Sequence, residues 1–221
     1  MSQNLLFVAL PYTAIAIFVT GLISRFRSQT TISSQSSQIL ESRWLAWGTV
    51  PFHIGIAVLF LGHLAPLLAP DAWRVFVSDH AALLAVESIG LAGGILCLLG
   101  LSVLFLRRLL VPSVRASSRA ADLVVLAILI VQVGAGLAVA TQHRWGAVWS
   151  VATIVPYLRG LAALRPDPSY VAALPRMMLL HFAGAWIVLA LLPFTRLVHM
   201  LTFPLTYLWR PPQKVVWTTR S

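Results

Sequence analysis

The sequence has six histidines, and His53, His63, His181 and His199 fall within or at the edge of long apolar stretches. His53 and His63 share one stretch, and His181 and His199 share another. Ionisable groups at membrane depth are costly and are usually kept for function. A lone histidine of this kind reads equally well as a hydrogen-bonding packing residue, but two on each of two stretches call for a common cause. Imidazole serves as a metal ligand or as a proton carrier. A bare zinc or copper site usually places histidines at i and i+4 on one helix, as in HExxH. Neither that spacing nor a neighbouring carboxylate occurs here. A proton relay calls for Asp or Glu along its path, and Glu87 is the only acid well inside a stretch. The single cysteine, Cys97, excludes an internal disulfide framework, a four-cysteine iron–sulfur site and a CxxCH haem attachment.

Composition says what must position these residues. Hydrophobic residues make up 59% and charged residues 10% of 221, against about 45–50% and about 25% in soluble domains. Five apolar stretches, at about 5–23, 44–69, 81–106, 122–140 and 175–203, are each long enough to cross a hydrocarbon core about 30 Å thick. They are too evenly apolar for the alternation of a membrane barrel. The expected fold is an all-α integral membrane protein: one membrane domain, 1–221, with five transmembrane helices. Residues 1–4 carry no Lys or Arg and no small-residue cleavage site follows the first stretch, so it is read as an uncleaved helix.

The net charge of +10 would suggest nucleic acid in a soluble protein. Here the basic residues lie between apolar stretches, where they set topology, and no nucleic-acid partner is expected. Arg25, Arg27, Arg43, Arg107, Arg108, Arg115, Arg119, Arg196, Arg210, Lys214 and Arg220 fall on one side. The other side holds Arg74, Arg144, Arg159, Arg165 and Arg176. The positive-inside rule then puts the N-terminus outside and the C-terminus in the cytoplasm. Trp44 and Trp47 read as anchors at the inner interface. The apolar, aromatic segment 145–164 reads as an interfacial helix on the outer face, interrupted at Pro156. Residues 28–37 read as a polar connector, and 204–221 as a basic cytoplasmic tail. No internal repeat suggests a two-halved transporter.

Depth pairs the histidines. Roughly, His63 lies 10 Å from Pro70, His181 9 Å from Pro175, His53 14 Å from Trp44 and His199 8 Å from Pro204. One His–His pair thus falls in each half of the bilayer, the arrangement of two haems with bis-histidine ligation. On a continuous helix His181 and His199 share one face, whereas His53 and His63 stand about 80° apart. The axial spans differ, about 15 Å against about 27 Å, and helix tilt or Pro193 must absorb the difference. Two haems suit the chemistry best, and a proton or ion pathway and packing histidines stay open. Gly48, Gly55 and Gly62 recur every seven residues, a spacing suited to close helix packing. Gly62 adjoins His63, where a missing side chain leaves room for a flat ligand.

Three segments carry a resemblance: FHIGIAVLFLGH (52–63), LCLLGLSVLFLRRLLVPSVRASSRAADL (96–123) and LLPFTRLVHMLTFPLTYL (191–208). Together with both histidine spacings, they resemble the gamma subunit of membrane-bound respiratory nitrate reductase over most of the second to fifth stretches. The resemblance implies a cytochrome b with two haem b groups, the inner one held by His53 and His199 and the outer by His63 and His181. It implies quinol oxidation near the outer haem, beside Gly62 and His63. Electrons then pass inward to an iron–sulfur subunit and on to a molybdenum-containing subunit that reduces nitrate. It also places Arg108 and Arg196 near the inner haem, as propionate contacts or as topology anchors. The family's basic quinol contact aligns near Ala82, a departure that leaves nearby His80 as the candidate. The rival readings are a cytochrome b anchor of another oxidoreductase, including reverse flow from nitrite oxidation, and a haem-free transporter. The loop 107–121 and the tail after Thr202, with Leu205, Tyr207, Leu208 and Trp209, are expected to dock the iron–sulfur subunit.

Overall fold

The computed structural model describes residues 4–27 and 43–201. The connector at 28–37, the tail at 204–221 and the end of the fifth stretch at 202–203 lie outside the described residues. A π-helical turn, Leu5–Ala9, leads into α1 (Leu10–Arg27). Then come α2 (Arg43–Leu68), α3 (Pro70–Ser78), α4 (His80–Leu110), α5 (Pro112–Ser117) and α6 (Ala120–Gln142). The chain continues through α7 (Gly146–Ala152), α8 (Ile154–Ala162) and α9 (Arg176–Leu191). Five spans, Leu5–Arg27, Arg43–Leu68, His80–Leu110, Ala120–Gln142 and Arg176–Phe194, have mean hydropathies from 1.7 to 2.7 and the length to cross a membrane.

Helix ends follow local chemistry. The Asp79 side chain accepts the Ala82 N–H at 2.8 Å and starts α4. Pro70 and Pro112 open α3 and α5, where a missing N–H costs nothing. The amphipathic α3 was not expected from the sequence. The segment 145–164 forms two short helices, α7 and α8, and the break falls at Thr153 rather than at Pro156. Pro156 stands in the first turn of α8, where its N–H would have had no helical partner.

The spans pack as a chain of neighbours: α2 on α4, α4 on α6, α6 on α9 and α9 on α1. The α2–α4 seam is built from glycine. A Cβ on Gly55 would stand 2.5 Å from the Gly93 carbonyl, and one on Gly100 would stand 2.6 Å from the Gly48 carbonyl. Two backbones thus meet directly, as small residues allow in lipid. A central core of Cys97, Leu101, Leu129 and Val133 takes Phe52, Ile56 and Leu59 from α2 on one side and Val188 and Leu197 on the other.

The end of the bundle where α3, α7 and α8 gather (the loop end) is tied to α1. Pro11 has no N–H to give to the Phe7 carbonyl four residues back. The Tyr157 hydroxyl donates to that oxygen instead, at 2.6 Å, and Tyr12 donates to the Leu161 carbonyl at 3.0 Å. Burial, and secondarily Tyr12, pushes the Tyr157 phenol above its ordinary range, so it remains a donor at any physiological pH. Tyr157→Phe should lower stability by about 1–3 kcal/mol, because a buried carbonyl loses its donor. Thermal unfolding in detergent measures this, and an unchanged Tm would contradict it.

The fifth stretch departs from the expected continuous helix over 175–203. The α-helix stops at Leu191 and a 3₁₀ turn covers Leu192–Phe194. Thr195 is extended (φ −121°, ψ 176°), and a second 3₁₀ turn runs Arg196–Met200. Pro193 removes one helical donor. Arg25 of α1 donates to the Pro193 carbonyl at 2.8 Å, so the break is held from outside. His199 therefore does not share a helical face with His181.

Candidate functional site

Two histidine pairs form, His63 of α2 with His181 of α9 and His53 of α2 with His199 of the 3₁₀ turn Arg196–Met200. The ring centres of His63 and His181 are 6.2 Å apart, and those of His53 and His199 are 6.3 Å apart. The break after Leu191 removes the conflict of axial spans, because a straight helix would have carried His199 about 27 Å from His181 along its axis. Helices α2 and α9 do not pack side by side as α2 and α4 do. The rings face each other across the space between them.

In all four rings Nδ1 is committed to a carbonyl. His53 donates to Thr49 O at 2.8 Å, His63 to Leu59 O at 2.7 Å and His199 to Arg196 O at 2.6 Å. His181 Nδ1 stands 3.0 Å from Gln132 O on α6 and 3.2 Å from Gln132 Nε2, and it carries the proton when it donates to the nearer carbonyl. A ring whose Nδ1 carries the proton keeps its lone pair on Nε2, the tautomer of a metal ligand held by an outer hydrogen bond. Imidazole–metal bonds of about 2 Å on both sides would put two ring centres about 6 Å apart. Among the described residues no group of three or more His, Cys, Asp or Glu is placed to hold a bare metal ion. Paired histidines suit a metal whose remaining ligands come from a macrocycle, and the residues present fit a bis-histidine haem at each level.

The surroundings of His181 include residues that sequence reasoning missed. Gln132 Nε2 donates to the His181 carbonyl at 2.9 Å, so the two residues grip each other. A Cβ on Gly136 would stand 2.8 Å from His181 Cε1, and one on Gly184 would strike the Gln132 side chain. Both glycines thus make room for this contact. Gln132 could have been noticed as the one amide inside the fourth apolar stretch.

Gly62 has nothing within 4 Å of the place where a Cβ would sit, unlike Gly48 and Gly55. Pro66, inside α2, has no N–H for the Gly62 carbonyl. Open space and an under-used acceptor thus lie beside His63. His80 stands at the start of α4, its ring centre 6.5 Å from that of Trp145. Glu87 accepts the Ala147 N–H at 2.8 Å and so caps α7. At the opposite, arginine-rich end, Arg196 Nε and Arg108 Nη1 both reach Asp122, at 2.8 and 3.3 Å.

Comparison with known proteins agrees with this architecture. The model of the nitrate reductase gamma subunit family matches residues 3–218. The chain is 32% identical to the nitrate reductase gamma chain of Bacillus subtilis, over 100% of both chains. It is 32% identical to the respiratory nitrate reductase 1 gamma chain of Escherichia coli, over 93% of each. It is 31% identical to the nitrate reductase-like protein NarX of Mycobacterium tuberculosis, covering 96% of this chain and 33% of that one. With five apolar spans and a match along nearly its whole length, the chain belongs to the nitrate reductase gamma subunit family.

Proposed function

We propose that this membrane anchor of a respiratory nitrate reductase is a di-haem b subunit that oxidises quinol and delivers electrons to cytoplasmic partners. The observation that carries the reading is the pair of ring separations, 6.2 and 6.3 Å, with every Nδ1 committed to a carbonyl. His53 and His199 would hold one haem, and His63 and His181 the other. Bound haem iron supplies one-electron chemistry and takes no proton.

The chain's own residues do the rest. Each carbonyl partner fixes its ring and raises the basicity of Nε2. Arginines at the His53–His199 end favour a cytoplasmic placement of that pair, and the loop end then faces outward. Quinol carries two electrons and two protons and would dock beside His63. Gly62 leaves space there, and its carbonyl can accept a quinol hydroxyl. His80 is the nearest candidate for the family's basic contact. Protons released outward while electrons leave inward contribute about 2.3 kcal/mol per charge per 100 mV. The inward partners are an iron–sulfur subunit, docked on 107–121 and the tail, and the molybdenum-containing nitrate-reducing subunit behind it.

The purified chain should yield two b-type haems by pyridine haemochrome, both extractable because no cysteine thioether links them. One haem or none per chain would refute the reading.

A further inference from the structure

The turn that carries His199 is not continuous with α9. Between them lie Leu192–Phe194 and the extended Thr195. Its place in the bundle therefore depends on contacts with other elements: Leu197 packs on the central core, and Arg196 is held by Asp122 in the first turn of α6. The Asp122 side chain is 9% exposed, and its Oδ1 accepts from Arg196 Nε at 2.8 Å. Its Oδ2 accepts from Arg108 Nη1 at 3.3 Å and from the Arg119 N–H at 3.2 Å. Arg108 also donates to Ser118 Oγ at 3.0 Å. One carboxylate thus joins the end of α4, the start of α6 and the separate turn. Charge-assisted hydrogen bonds of this kind gain strength where water is scarce. The link continues through Arg196, whose carbonyl accepts the His199 Nδ1–H at 2.6 Å.

We propose that Asp122 is a positioning residue for the His53–His199 pair, acting through Arg196 to set where the His199 ring stands. The inference rests on reading that pair as haem ligands. His181 needs no such tether, because it is built into α9 and gripped by Gln132. Loss of the Asp122 carboxylate should therefore disturb one pair and spare the other.

The test uses the full complex in membranes. Low-spin ferric haem signals by electron paramagnetic resonance and midpoint potentials by redox titration are read for both haems. The components are assigned from His53→Ala and His63→Ala. In Asp122→Ala the component that His53→Ala removes should vanish or shift, while the other keeps its signal and potential. An unchanged first component would overturn the proposal, as would equal loss of both at wild-type protein level. If the protein level itself falls, Asp122→Asn decides, because it keeps the shape and loses the charge. A shift of the first component alone supports the proposal, and no shift overturns it. A wild-type chain without two haem components would instead refute the proposed function.

Discussion

Replacing His63 or His181 with alanine should remove one of two haem components and abolish quinol oxidation, whereas replacing His53 or His199 should leave that component reducible by quinol. The asymmetry follows from the pairing of the rings, His63 with His181 and His53 with His199, at opposite levels of the bundle. Under the proposed ligation either substitution within a pair removes one of two axial ligands, so both members should give the same spectrum. Between pairs the outcomes should differ, because Gly62 and its open space adjoin only His63. With the His53 or His199 variants electrons should still enter but no longer reach the cytoplasmic subunits, so nitrate reduction from quinol should stop. Reduced-minus-oxidised spectra of the four variants, with quinol as reductant, check this. Loss of the same component in all four would contradict the pairing.

Gly136→Val should be nearly as damaging as removal of His181 itself. A Cβ at position 136 would lie 2.8 Å from Cε1 and 3.2 Å from Nδ1 of His181. The ring cannot retreat without giving up its hydrogen bond to Gln132 O. A branched side chain therefore displaces the ring, and under the proposed ligation the haem at that level should be lost while the other stays. Gly134→Ala makes the matched control. A Cβ there meets nothing within 4 Å, and alanine should stabilise the helix by about 0.5–1 kcal/mol. Haem content per chain and Tm, measured for both variants, separate a local clash from general intolerance of α6. Equal haem loss in the two would show that the contact with His181 is not the cause.

Five spans were legible in the sequence because each is a long apolar run with few charges, and lipid leaves helices as the way to satisfy their backbones. The pairing of histidines was legible too, since depth along a helix follows from residue count. What depth arithmetic could not supply was the break after Leu191. Pro193 permits a kink as readily as a stop, and the partners that meet the broken segment, Arg25 and Gly21, lie far away in the chain. Glycine packing along α2 was readable from the seven-residue spacing, but its partners Gly93 and Gly100 were not, because register between helices is a tertiary fact. Arg108 and Arg196 were weighed as propionate contacts or topology anchors. Their joint grip on Asp122 belongs to neither reading, and it arises only when α4, α6 and the turn meet.

The glycine seam should leave α2 and α4 little room to shift against each other. At Gly55 and Gly100 backbone touches backbone, so there any Cβ forces the pair apart, and only Leu104 against Gly48 and Val58 against Gly93 offer side chains to adjust. His53 and His63 are therefore fixed reference points. Drift in the gap between facing rings has to be absorbed on the opposite wall, where His181 leans on a side chain and His199 rides on a jointed turn. Substitutions among related chains should then concentrate around the fifth span, and the first wall should resist them.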